Sequence, residues 1–417
     1  MAFNYYSGAD FRKSNELLLS NLKQSFEAVQ IGDTQVRVEL ANIDNDPAKG
    51  QDTNREALAL QRATAIKNDP DTLMVVTQLE SQSLRSILPL FLELASPPIP
   101  VIATRETDDL WSDCKKPPAH SWCDQKFAPV LQLPARNTEE AESAVRFAIQ
   151  HFAARQDHSV THCLVVKNDQ SDNSQNVDYV DDLAAQFTGN LEKYYRNPEM
   201  GAEIGEPGEP VGLSEVTQQK ALGDFNCVLY AGDLQGARKL LQFTTERKSP
   251  KAKPSPLLIL SDDSVLPIIH GEEIQTYATQ QLNPDVYFMD FLDGNDWNSQ
   301  VNPYVNTAFE IAKQLVQHLN ARGNWWFRLR RDFRSPSAQV VRKYLVDVLQ
   351  RNDELRVSYD GWTDSRYPDE HPTYTFRQGR SVGTIYHVWQ PRMPIGKLVK
   401  MNDVDYWHRP KQSAANQ

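Results

Sequence analysis

The sequence predicts an α/β protein made of two doubly wound parallel sheets in tandem. Three observations carry this. The chain has 417 residues, more than one ordinary core accommodates. Short apolar runs alternate with helical segments of roughly ten to fifteen residues, the rhythm of a parallel sheet with right-handed crossovers. Each apolar run then stops abruptly at hydroxyl and charged residues, as expected of buried strands whose carboxyl ends open onto a ligand crevice. The stretch Thr72–Thr107 shows all of this: Leu73-Met74-Val75-Val76, a polar turn through Thr77 to Ser81, a helical pattern, then Ile99–Thr107.

Taken in order, Met1–Tyr6 reads as a first strand, broken at Ser7-Gly8. Asn15–Val29 gathers Leu17, Leu18, Leu19, Leu22, Phe26 and Val29 on one broad helical face. Gln35–Leu40 alternates as a strand and ends in Ile43-Asp44-Asn45-Asp46, before a helix from about Asn54 to Asn68. The unit repeats through Leu73–Val76, a helix over Ser83–Ala95 and a strand at Val101. A Pro-, Lys-, Cys- and Trp-containing loop, Asp108–Phe127, precedes the strand Val130–Leu133. Thr138 begins a helix with Glu139 and Glu140 in its first turn, where carboxylates favour the positive end of the dipole.

A second set of strands follows at His162–Val166, Val228–Tyr230, Leu257–Leu260 and Val286–Met289, with a helix near Val177–Phe187. The Gly/Pro/Glu content of Glu199–Gly212 predicts a mobile surface loop. Helices are expected over Tyr304–Leu319 and Ser337–Leu349. Tyr374–Phe376 and Thr384–Trp389 read as a C-terminal antiparallel β-hairpin around Gly379.

Composition narrows the function. Hydrophobic residues at 40%, with 9% aromatic, supply two cores. Apolar runs such as Leu257–Leu260 fall far short of the roughly 18 to 20 residues a bilayer requires, and the N-terminus shows neither a basic head nor an apolar signal core. A formal charge of −11 disfavours nucleic acid and anionic membranes as partners. One segment runs against that charge. Asn324–Arg334 interleaves aromatics with arginines, which suits either a protein-contact surface or single-stranded nucleic acid; the acidic whole favours the former.

Of the four cysteines, Cys163 and Cys227 sit inside apolar strand-like runs and read as small hydrophobes. Cys114 and Cys123 lie in the polar loop, and either stay free or close a small loop in an oxidising compartment. No zinc spacing, Gly-x-Ser-x-Gly elbow, Walker loop, Gly-x-Gly-x-x-Gly after the first strand or His-Glu-x-x-His occurs. His162 heads a strand and His318 lies on a helix, where structural roles are the ordinary ones. The expectation is a chain that is not an enzyme and uses no metal or cofactor; the alternatives are a two-lobed α/β transferase, which architecture alone leaves open, and a degenerate binding fold serving as a protein-interaction module.

In order and spacing, several local strings resemble the type 1 periplasmic-binding-protein family, the branched-chain amino-acid receptor-like solute-binding proteins. Met1–Gly8 is similar to that family's opening strand and Ser-Gly turn, and Ile43–Asp46 to its acidic strand end. Val75–Ser83 resembles its Val-Ile-Gly-x-x-x-Ser turn, Ile99–Thr107 its Ile-Pro-x-Ile-Ser-x-x-x-Thr stretch, and Tyr304–Ala312 its Tyr-Asp-Ala helix. The resemblance implies two lobes joined by crossing hinge segments, 1–133 with 292–355 and 134–291 with 356–417. It also implies a ligand trapped by hinge closure and a transporter, receptor or effector as protein partner. Such proteins act outside the cytoplasm, which here requires an upstream segment; otherwise a cytoplasmic sensor is expected.

Carried over by position, the first-lobe contacts are Ser81, Arg105 and Thr107. Ser81 either offers its hydroxyl and N–H to an acceptor or merely caps a helix. Arg105 replaces a small residue and either clamps an anion or forms a rim ion pair. Thr77 stands where the family prefers Gly, leaving less room near the backbone. In the second lobe the matching positions are Asn173, Asp233 and Asp263, with Asp262 the alternative to Asp263. Carboxylates there in place of aromatic walls point to a small polar, amino-acid-like or cationic ligand.

Overall fold

The computed structural model describes residues 2–5, 24, 29–31, 34–42, 55–77, 79, 81–104, 129–134, 136–154, 161–169, 177–197, 204–219, 225–246, 256–261, 286–290, 308–316, 337–351, 354–358, 373–377, 380–382, 386–392 and 397–404. The chain divides into two compact units, Met1–Pro134 with Asn298–Gly383, and Ala135–Trp297 with Thr384–Gln417.

In the first unit, β1 (Ala2–Tyr5) is followed by β2 (Gln30–Ile31) and β3 (Thr34–Gln35), which pair with each other apart from the main sheet. The strand expected at 35–40 therefore starts later, as β4 (Glu39–Asn42), parallel to β1. Helix α1 (Arg55–Asn68) buries Ala59, Ala63 and Ile66, one stripe at helical spacing. After β5 (Val75–Thr77), α2 (Ser81–Leu92) turns Leu84, Ile87, Leu88 and Phe91 onto β5, β6 (Val101–Ala103) and β7 (Val130–Gln132). The parallel order is β4-β1-β5-β6-β7. The second strand thus lies on one side of the first, and the third, fourth and fifth on the other. This doubly wound arrangement has its switch point between β1 and β5, where crossovers leave in opposite directions and strand ends form a crevice.

The second unit opens with α3 (Asn137–Ala154). The Arg136 carbonyl accepts the Glu140 N–H at 3.0 Å, and the Glu139 carboxylate reaches back to the Arg136 N–H, the return half of a capping box. Then come β8 (Cys163–Lys167), α4 (Val177–Tyr195), β9 (Val211–Gly212), α5 (Leu213–Gln219), β10 (Cys227–Ala231), α6 (Leu234–Glu246), β11 (Leu257–Leu260) and β12 (Val286–Asp290). The parallel order β9-β8-β10-β11-β12 repeats that of the first unit. Its switch point lies between β8 and β10. Cys163 and Cys227 face each other in register at the start of these two strands, both buried and unbridged. Burial, then the neighbouring Cys163 thiol, raises the Cys227 pKa well above that of an ordinary cysteine, which fits an inert core residue.

The expectation of a mobile loop at 199–212 is corrected over its second half. Ile204 bridges Thr161, Gly205 N–H donates to the Thr161 carbonyl at 3.0 Å, and Val211–Gly212 pairs with Val166–Lys167. The Gly-Glu-Pro-Gly-Glu-Pro stretch between these anchors follows the outer side of β8. Prolines are tolerated on such an edge because they lack the N–H that a further strand would need.

Residues 308–316 form α7, within the expected helix, and α8 (Ala338–Arg351) follows. Next, β13 (Glu354–Ser358), β14 (Thr373–Arg377) and β15 (Arg380–Val382) pair antiparallel in turn, and β15 joins β7 through Arg380 and Gln132. Residues up to 383 thus belong with the first unit, whereas the sequence reading gave everything after 355 to the second. Residues 373–377 pair with 380–382; β16 (Tyr386–Arg392) instead joins β12 and β17 (Lys397–Val404) in the second sheet.

Arg342 on α8 is almost fully buried, and its Nε and Nη1 meet no hydrogen-bond acceptor. Burial lowers its pKa, against the favourable charge of Asp69. A buried guanidinium with two nitrogens short of an acceptor is costly, so Arg342→Met is expected to raise stability by about 1–3 kcal/mol. Urea unfolding checks this; a lower midpoint would show that the guanidinium has a partner worth keeping.

Candidate functional site

At the first unit's switch point the carboxyl end of β5 is closed by its own hydrogen bonds. Thr77 is fully buried; its hydroxyl oxygen accepts the Leu79 N–H at 3.1 Å, and its carbonyl accepts both the N–H and the hydroxyl of Thr104 at 3.0 Å. Where the family pattern has Gly, Thr therefore occupies space and also consumes a backbone donor. Ser81 opens α2 just beyond this turn.

At the second unit's switch point, β8 runs out into buried Asn168 and exposed Asp169, and β10 into Gly232 and Asp233. Asn168 N–H donates to the Ala231 carbonyl at 3.0 Å, tying the two ends together. Asp169 accepts the Ser214 N–H at 3.0 Å and the Ser214 hydroxyl, which caps α5. Asp233 Oδ1 accepts the Gly236 N–H at 2.9 Å, and its carbonyl accepts the Ala237 N–H at 3.0 Å, which makes it the N-cap of α6. On the next strand, buried Ser261 accepts the Gly232 N–H at 3.4 Å and donates to the Gly232 carbonyl at 3.1 Å. Among the described residues, the N–H groups of Asn168, Ser214, Gly232, Gly236 and Ala237 are thus engaged by the protein's own oxygens. What the strand ends present outward is carboxylate.

Asp233 therefore has a structural role that can be measured. Asp233→Ala is expected to cost about 1 kcal/mol through loss of the cap, and Asp233→Asn close to nothing, because Asn caps as well as Asp. Thermal unfolding of the two variants checks this; equal losses would mean that the charge, not the cap, holds the turn.

No family model matches the sequence, and neither does any curated protein. Solved structures do. The chain is similar to an ABC transporter substrate-binding protein from Desulfitobacterium hafniense solved with leucine, at 14% identity and a TM-score of 0.54, over 96% of this chain and 99% of that one. It is similar to the branched-chain amino acid transporter substrate-binding protein LivJ from Streptococcus pneumoniae, solved with isoleucine, at 10% identity and a TM-score of 0.51, over 96% and 99%. A solute-binding protein from R. palustris in complex with benzoate matches at 10% identity and a TM-score of 0.52, over 97% and 96%. The fold is that of the type 1 periplasmic binding proteins. At this identity the likeness is one of fold.

Within that fold, the residues expected to bind ligand are only partly placed. Asp233 sits at the second unit's switch point, and Ser81 follows the carboxyl end of β5. Arg105, Thr107, Asn173, Asp263 and its alternative Asp262 lie outside the described residues, as do Cys114, Cys123, His318 and Asn324–Arg334. Asp169 was missed. Its signal was present in the sequence: it is the first charged residue after the strand that ends at Lys167, whereas alignment to the family pattern led four residues further, to Asn173. Among the described residues no group of three or more His, Cys, Asp or Glu could hold a metal ion, and no helix is long and apolar enough to cross a membrane.

Proposed function

We propose that this chain is a non-catalytic solute-binding or ligand-sensing protein that traps a small polar or cationic molecule by hinge closure and feeds a transporter or signalling partner. One observation carries the ligand class. At the second unit's switch point Asp169 takes up the Ser214 N–H at the start of α5 and Asp233 takes up the Gly236 and Ala237 N–H groups at the start of α6, so these strand ends add acceptors and negative charge to the crevice. Leucine, isoleucine and benzoate, the ligands of the structural neighbours, all carry a carboxylate that seeks N–H and hydroxyl donors. Here such donors are reduced in both units, by Thr77 in one and by the two aspartates in the other.

The proposed contacts are Ser81, Arg105 and Thr107 from the first lobe and Asn173, Asp233 and Asp263 from the second; we add Asp169 for its place at the end of β8. Asp233 caps through Oδ1, which leaves Oδ2 for a solute; both oxygens of Asp169 already accept from Ser214, so it contributes chiefly its charge. An amino acid with a cationic side chain, or a polyamine, satisfies this arrangement through charge-assisted hydrogen bonds. Isothermal titration against amino acids, polyamines and sugars tests the reading. Lysine or putrescine is expected to bind and leucine not to; tight leucine binding with none for the polar set would refute it. An extracytoplasmic location is the companion proposal, supported by a Cys114–Cys123 bridge in protein from its native source and opposed by two free thiols.

A further inference from the structure

Tyr230 lies on β10 with its side chain fully buried. Its hydroxyl reaches past the end of the strand and donates to the Asp233 carbonyl at 3.2 Å. The turn is shaped around that oxygen. A Cβ on Gly232 would stand 2.4 Å from the hydroxyl oxygen and 2.8 Å from Asn168 Cβ, and a Cβ on Gly236 would stand 1.9 Å from the same hydroxyl. None of these distances is tolerable for carbon, so Tyr230 and Asn168 together require glycine at 232, and the tyrosine hydroxyl is the closest obstacle at 236. Gly236 also supplies the N–H that Asp233 caps. The hydroxyl, the two glycines and the aspartate therefore form one mechanical unit.

The hydroxyl stays protonated at any physiological pH. Burial, then the negative charges of Asp233 and Asp169, push its pKa far above the ordinary tyrosine value, so it remains a donor to the turn.

We propose that Tyr230 is the positioning residue of the second unit's solute site, its hydroxyl fixing the Gly232–Gly236 turn so that Asp233 presents its carboxylate to an amine-bearing solute. This rests on the solute-binding reading above. The hydroxyl does not touch the solute; it acts through Asp233.

The test uses the full chain in four forms: wild type, Tyr230→Phe, Gly236→Ala and the double variant. Alanine is ordinarily the better helix residue, so an unobstructed Gly236→Ala would be neutral or stabilising. With Tyr230 present it is expected instead to lower the melting temperature by about 5 °C or more. In the Tyr230→Phe background at least half of that loss is expected to disappear, since the ring carbon next to the hydroxyl, 3.0 Å from the same point, gives way more easily. Equal losses in both backgrounds would overturn the proposal.

The second arm is titration with L-lysine, putrescine and L-leucine. Tyr230→Phe is expected to weaken lysine and putrescine binding by about threefold to tenfold, the equivalent of one hydrogen bond, and to lower the ratio of lysine to leucine affinity. General loosening would leave that ratio unchanged. Undiminished lysine and putrescine binding by Tyr230→Phe overturns the positioning role alone; failure of the wild type to bind either amine overturns the cationic reading, and the positioning role with it.

Discussion

Phe91→Ala is expected to destabilise the first unit by about 3–5 kcal/mol. Phe91 is fully buried, on the face of α2 that packs against Val75, Val101, Ala103 and Val130. Removing the ring loses its transfer free energy and leaves a cavity. The site has little freedom to collapse, because the Phe91 carbonyl also accepts the Ile99 N–H at 2.9 Å and holds the chain returning toward β6. Since α2 begins at Ser81, loosening it also disturbs the turn after β5. Denaturant unfolding measures the loss as a lower midpoint at unchanged slope. A loss below about 1 kcal/mol would mean that α2 does not cover the sheet as described.

Much of this architecture was legible because buried parallel strands write themselves as short apolar runs. Val75, Val101, Val130, Cys163, Cys227, Leu257 and Val286 all stand where the sequence reading placed strands. The alternation with helices announced a doubly wound sheet. What could not be read was partner choice. Residues 373–377 carry no local code that distinguishes 380–382 from 384–389 as a partner, because pairing is decided by tertiary context. The helix Leu234–Glu246 was readable from Leu234, Ala237, Leu240 and Leu241 and went unremarked, with a glycine in its first turn. Conversely, Gly205–Pro210 has loop composition, and only its two anchors on β8 make it part of an edge.

The candidate site was less legible than the fold. The strand ends were predictable, yet the consequence of Thr77, Asp169 and Asp233 depends on which N–H each oxygen accepts, and spacing does not encode that. Family pattern pointed to Asp233 at a strand end and did not point to Asp169, which stands at the neighbouring one. Tyr230 gave no signal at all, being one more aromatic in an apolar strand. Its importance lies in what the two nearby glycines leave room for.

The second large effect concerns charge at these strand ends. In the double variant Asp169→Asn/Asp233→Asn each amide keeps an oxygen for the Ser214 or Gly236 N–H, and at 169 the Ser214 hydroxyl turns to accept from the new amide instead of donating, so the caps on α5 and α6 persist. Two negative charges are lost. A hydrogen bond to a charged group contributes about 1.5–3 kcal/mol. Even after discounting Asp169 for its exposure, the affinity for an amine should fall at least tenfold. The wild-type affinity should itself decline with added salt, as expected for exposed charge.

The measurement that bears most directly on the whole account is therefore the dissociation constant of putrescine for the wild type and this double variant, at matched ionic strength and with folding confirmed by thermal unfolding. The account predicts binding by the wild type and a loss of about tenfold or more in the variant. An unchanged constant in a folded variant would contradict it.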